Sequence, residues 1–225
     1  MEALENDDIK YEKIFQDALG MLIKHHPFFG HIMSNIVRIK DDSVKLFSLS
    51  ITSEAKIALH YNVMDIKEYI EKKHITLENL TAMVQHTIYH LINEHFHRRN
   101  DPLYTAWIVT PIGPCRLIDI AMDVAINQYI KNLPVNAITL KTFNDALPPG
   151  ENAEYYYRVL LDYAKKNKKE MFSFLGELLC GDADGFLFFD GDKRPQQEQF
   201  SRIMRFLPFD KELFVGIELG RRTKA

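Results

Sequence analysis

The chain has 225 residues, of which 46% are hydrophobic and 26% charged, enough to bury the core of one domain or two small ones. Its formal net charge of −3 argues against generic nucleic-acid binding, which needs a basic face. Two cysteines, Cys115 and Cys180, exclude a disulfide scaffold or a Cys-rich zinc module, and no apolar run approaches the length of about 18 residues that spans a membrane.

The opening residues 1–10 are polar and acidic, unlike a signal peptide, so a reducing cytoplasmic setting is expected. Residues 7–24 carry apolar side chains at helical spacing, and Pro27 ends that helix. An apolar stretch, Phe28 to Met33, follows. Between 36 and 61 the period shifts to two: 36–40, 44–51 and 55–61 read as two or three short antiparallel strands. A short helix is expected over 64–72. Thr76 then offers an N-cap for a long helix that should run to about Phe96. Residues 99–114, with three prolines and a glycine, read as a loop. A second long helix is expected over 116–132 and a tyrosine-rich one over 153–169. Beyond lie an expected helix at 171–180, a strand between Asp-Gly turns at 182–192, a helix at 195–206 and a strand or short helix at 213–217. Asp182, Asp184, Asp190 and Asp192 do not match an EF-hand loop, and Lys165–Lys169 reads as a solvated helix end.

All nine histidines lie in the first 97 residues, and His86 and His90 share one helix face, about 40° apart. Such i, i+4 imidazoles can bind one Zn²⁺, in the frame used by zinc-dependent peptidases. There the residue after the first histidine is a glutamate that takes a proton from the zinc-bound water. Here it is Thr87, whose hydroxyl cannot hold that proton near neutral pH. A third ligand is needed. His97 lies about 10 Å further along the axis. His95 faces away unless the helix breaks. Asp123 belongs to a polar row, Asp119–Asp123–Asn127, on an otherwise apolar helix, and either a solvated face or a metal site would explain that row.

The order of these features resembles a zincin-like metallopeptidase domain family that often precedes a von Willebrand A-like domain in bacterial proteins. Pro27-Phe28-Phe29-Gly30, the hairpin from Ile51-Thr52 to Tyr61-Asn62, His86-Thr87 through His90 and His95 to Arg98 or Arg99, Ala121–Asp123–Ile126–Asn127, Leu133-Pro134 and the tyrosine helix carry the likeness, over residues 10–165. The resemblance implies zinc held by His86 and His90, with Asp123 favoured over His95 as third ligand and Thr87 at the position of the missing glutamate. It implies an α+β, predominantly helical, zincin-like fold with a small antiparallel sheet or hairpin packed on a helical core. Residues 1–165 would form that domain, and 166–225 an elaboration too short for a von Willebrand A-like domain. Short stand-alone relatives imply a phage or mobile-element setting.

Three functions compete: a zinc-binding pseudoenzyme that acts by engaging a protein partner, an active metal-dependent hydrolase of peptides with a replacement base, and a metal-free helical interaction protein. Neither nucleic acid nor a membrane is expected as a partner, and the oligomeric state is open.

Overall fold

Residues 2–166, apart from 55, 100, 111–112, 136 and 144–145, are described by a computed structural model of the chain. The expected elements beyond Lys166, with their aspartate pairs, lie outside the described residues. So do the side chains of His97, Trp107 and Cys115.

Tyr11, Phe15, Ala18, Leu19 and Leu22 form the buried stripe of helix α1 (Glu2–His25). Pro27 does end this helix, but it also starts the next. With no N–H to leave unpaired, it opens α2 (Pro27–Met33), so the apolar stretch at 28–33 is helical. Strands β1 (Ile36–Lys40), β2 (Phe47–Ile51) and β3 (Ile57–Tyr61) follow. Their sheet is mixed, in the order β1-β3-β2, and corrects the antiparallel expectation: β1 runs parallel to β3 and β2 antiparallel to it. The reason lies in β3. Ile57, Ala58, Leu59 and Tyr61 are buried on both of its faces, so it takes the centre, whereas β1 buries only Ile36. Asn62 fixes the connection between β1 and β2, donating from Nδ2 to the carbonyls of Asp42 and Val44.

The Asn62 side chain also caps α3 (Val63–Lys73), accepting from the amides of Met64 and Asp65. Thr76 and Asn79 then form a reciprocal capping box at the start of α4 (Leu77–Ile92). The expected run to Phe96 is interrupted. Asn93 caps α4, Glu94 takes the left-handed conformation at φ 53°, and a short helix α5 (His95–Arg98) begins anew. The expected loop at 99–114 contains an antiparallel pair, β4 (Trp107–Thr110) and β5 (Gly113–Arg116). Helix α6 (Leu117–Asn127) is shorter than expected, its end marked by turn bonds from Tyr129 and Ile130 back to Ile126 and Asn127. Helix α7 (Ala153–Lys166) completes the described residues.

Two apolar cores result. One gathers α1, α2, the three-stranded sheet, α3 and α4, with Phe15 stacked on Phe47 and Tyr61. The other gathers α6 and α7 around Ile118, Met122, Tyr156 and Leu160. Helices α4 and α6 meet between them.

Candidate metal centre

Polar side chains from α4, α5 and α6 meet where the two cores adjoin. Every residue of α6 is buried, so its polar row of Asp119, Asp123 and Asn127 cannot face water and must find partners on α4 and α5. The row runs opposite to the direction of α4. Asn127 meets His86, Asp123 meets His86 and His90, and Asp119 meets Arg99 beyond the break.

The centre is a triangle of donor atoms. His90 Nε2 lies 3.0 Å from His86 Nε2 and 3.1 Å from Asp123 Oδ1, and His86 Nε2 lies 3.7 Å from that same oxygen. Zinc–ligand bonds of about 2.0–2.1 Å place tetrahedral ligands about 3.3–3.4 Å apart, and the three separations straddle that value. His86 and His90 are each 4% exposed and Asp123 1%, so a buried His86/His90/Asp123 group could hold a metal ion. Asp123 Oδ2 is buried and makes no hydrogen bond among the described residues, as expected where a carboxylate answers to a cation.

Charge in the group follows from burial. Desolvation pushes the Asp123 carboxyl up to about 8, against the pull of His86. Burial lowers His90 to about 3, the Arg99 charge adding to the effect, and lowers His95 well below its ordinary value. His90 and His95 are therefore neutral near pH 7, the state in which histidine binds metals, whereas the Asp123 carboxyl would give up its proton to a metal taken there.

The surrounding hydrogen bonds select the tautomers. Asn127 Nδ2 donates to the Ile138 carbonyl, which turns its Oδ1 toward His86 Nδ1 at 2.7 Å. His86 must then carry its proton on Nδ1, leaving the Nε2 lone pair aimed into the triangle. His90 Nδ1 lies 3.0 Å from His95 Nδ1, so His95 touches the ring nitrogen of His90 that faces away from the triangle.

The break at Asn93–Glu94 is what brings His95 inward, where it is 2% exposed. It stands behind His90 rather than beside Asp123. Thr87 is half-buried, and its hydroxyl donates to the Met83 carbonyl one turn back at 3.0 Å. Arg99 holds Asp119 with a two-pronged contact, Nε at 2.8 Å and a second nitrogen donating at 2.9 Å, while Arg98 pairs with Glu154 on α7 at 3.0 Å. The sequence places Asn127 in the polar row without a partner and offers the two arginines only as points of family likeness, so neither the His86 contact nor the carboxylate pairs are read from it. The polar row on α6 was the available signal, because each of its members has a partner.

No family model matches the chain, and no solved structure does. A Thermotoga maritima protein described as an uncharacterized protein is 28% identical over 171 residues, which take in 68% of this chain and 39% of that protein. The chain thus spans well under half the length of that relative. What stands is a mostly helical protein with a small three-stranded mixed sheet and a buried His86/His90/Asp123 group able to hold a metal ion.

Proposed function

We propose that the chain is a zincin-like protein of the metallopeptidase type that binds zinc through His86, His90 and Asp123 and acts by engaging a protein or peptide without cleaving it. The observation that carries this reading is the triangle of His86 Nε2, His90 Nε2 and Asp123 Oδ1, all buried and with the His86 tautomer already set by Asn127. Two imidazoles and one carboxylate are a donor set that suits zinc. Bound there, zinc would supply Lewis acidity and a fixed positive charge.

The chain's own residues support binding over hydrolysis. Position 87, where a peptidase keeps its general base, holds a hydroxyl bonded to its own helix backbone. Asp123 is committed to the histidines and Asp119 to Arg99, so neither is free to take a proton from water. His95 and Asn127 orient the imidazoles, and Arg99 fixes the end of the row.

Metal analysis of the purified protein tests the site. About one zinc per chain is expected, and a fall in melting temperature when chelator removes it. Protein that carries no metal and melts identically with and without chelator would overturn the metal reading. A casein assay tests the absence of hydrolysis. The natural chain should show no turnover, with Thr87→Glu as the comparison that restores a base. Robust turnover by the natural chain that disappears in His90→Ala would make it an active metallohydrolase instead.

A further inference from the structure

A second constellation lies on the sheet, built from elements that contribute nothing to the histidine–aspartate group. Ser50 Oγ on β2 lies 2.7 Å from His60 Nε2 on β3, and His60 Nδ1 lies 2.8 Å from Asp41 Oδ2, just past the end of β1. Strand register explains the meeting. Ser48 sits directly opposite His60 and Ser50 one step further along the same face, within diagonal reach of an imidazole. The Asp41 amide donates to the Tyr61 carbonyl, which anchors the aspartate beside β3.

The chemistry of the array is directional. Asp41 Oδ1 accepts from the Ser43 amide at 2.9 Å and the Ser43 hydroxyl at 2.5 Å, leaving Oδ2 for the imidazole. Those Ser43 bonds, with His60 adding to them, hold the Asp41 carboxyl down to about 2, so it is ionised near neutral pH. A carboxylate can only accept, so His60 must donate from Nδ1, and a neutral His60 then keeps its lone pair on Nε2. In that form the Ser50 hydroxyl donates to the lone pair. This is the arrangement by which a histidine base removes a serine proton as the oxygen attacks. β2 is an edge of the three-stranded sheet, and Thr52 N donating to Lys56 O shows that its even-numbered positions face β3. By that alternation the amide of Ile51, next after the serine, points to the edge that β3 does not occupy. An amide at that position serves as an oxyanion donor in other serine hydrolases.

We propose that Ser50 is a nucleophile activated by His60, with Asp41 as its positioning residue, and that it accepts acyl groups from carboxylic esters. In the step, a bond forms between Ser50 Oγ and the ester carbonyl carbon. The serine proton passes to His60 Nε2 and on to the departing alkoxide as its C–O bond breaks. Water then attacks the acyl-serine, its proton passing through His60 back to Ser50 Oγ as the acid leaves. The cycle consumes only ester and water and rests on no metal.

Diisopropyl fluorophosphate tests it on the full chain. Ser50 Oγ bonds to phosphorus, fluoride leaves, and the adduct is mapped by mass spectrometry. Ser48 is an internal control, half-buried on the same face of the same strand. Ser50 is expected to react about a hundredfold faster than Ser48, the scale of general-base assistance. Chelator should leave that ratio unchanged, which separates this site from the proposed zinc site. His60→Gln should bring the Ser50 rate down to that of Ser48, and Asp41→Asn should slow Ser50 without changing Ser48. Equal rates at the two serines in the natural chain would overturn the proposal and leave the array as a pin between the β1–β2 connection and the sheet. That comparison needs no variant, so it decides even if His60→Gln fails to fold. An undiminished Ser50 adduct in folded His60→Gln would also overturn it.

Discussion

At the scale of single residues, the histidine–aspartate group depends on side chains that would not themselves touch a metal. Asn127 can satisfy both Ile138 and His86 in only one orientation of its amide, and that orientation fixes which nitrogen His86 presents. Asn127→Ala should therefore weaken zinc binding about 10–100-fold while all three proposed ligands remain, as competition with a chromogenic chelator would show. Asp41 illustrates a different kind of dependence. Its folded carboxyl is held down to about 2 by the Ser43 bonds, below its ordinary value, so the folded state binds fewer protons than the unfolded one between those limits. The stability it contributes is complete above about pH 4 and is lost as pH falls toward about 2. In Asp41→Asn, urea unfolding should lose that part of its acid dependence, and the two proteins should converge at the acid end.

Among the elements, the interruption between α4 and α5 does most to shape the group, and the sequence gives little sign of it. A helix stop is normally announced by glycine or proline; here Asn93 and a left-handed Glu94 make the stop. A non-glycine residue in that conformation is strained, so Glu94→Gly should raise stability by about 0.5–1 kcal/mol, visible as a higher melting temperature with zinc affinity unchanged. The parts of the fold that were readable are those where local pattern and tertiary demand agree. Thr76 and the apolar spacing after it locate α4, and Pro27 locates the boundary between α1 and α2. Strand pairing was not readable, because alternation shows which face of a strand is buried but not which strand takes the centre. That was decided by β3, whose Ala58 and Leu59 are buried on opposite faces. For the metal group, i, i+4 spacing exposed His86 and His90, and the apolar setting of α6 exposed Asp123. The position of His95 depended on a break that no residue type announced.

Across the whole molecule, the buried polar row lies between the two apolar cores, so holding them together is partly an electrostatic matter. His86 and His90 belong to a helix of the first core and Asp123 to a helix of the second, with Arg99–Asp119 and Arg98–Glu154 continuing the same boundary. A buried carboxylate whose second oxygen makes no hydrogen bond among the described residues destabilises this boundary unless a proton or, above about pH 8, a metal cation neutralises it. The sign of an Asp123→Asn effect should then depend on metal. In chelator above about pH 8, where the Asp123 carboxyl is ionised, the variant loses a buried charge and keeps the shape, so it should be as stable as the natural chain or more stable by about 1–3 kcal/mol. With zinc at about a hundred times its dissociation constant, the natural chain gains about 2.7 kcal/mol and the variant, lacking the anionic ligand, gains much less. The order of melting temperatures should therefore reverse between the two conditions. A variant that melts below the natural chain by the same margin in both would mean that Asp123 serves packing alone and that the two cores are not joined through a metal.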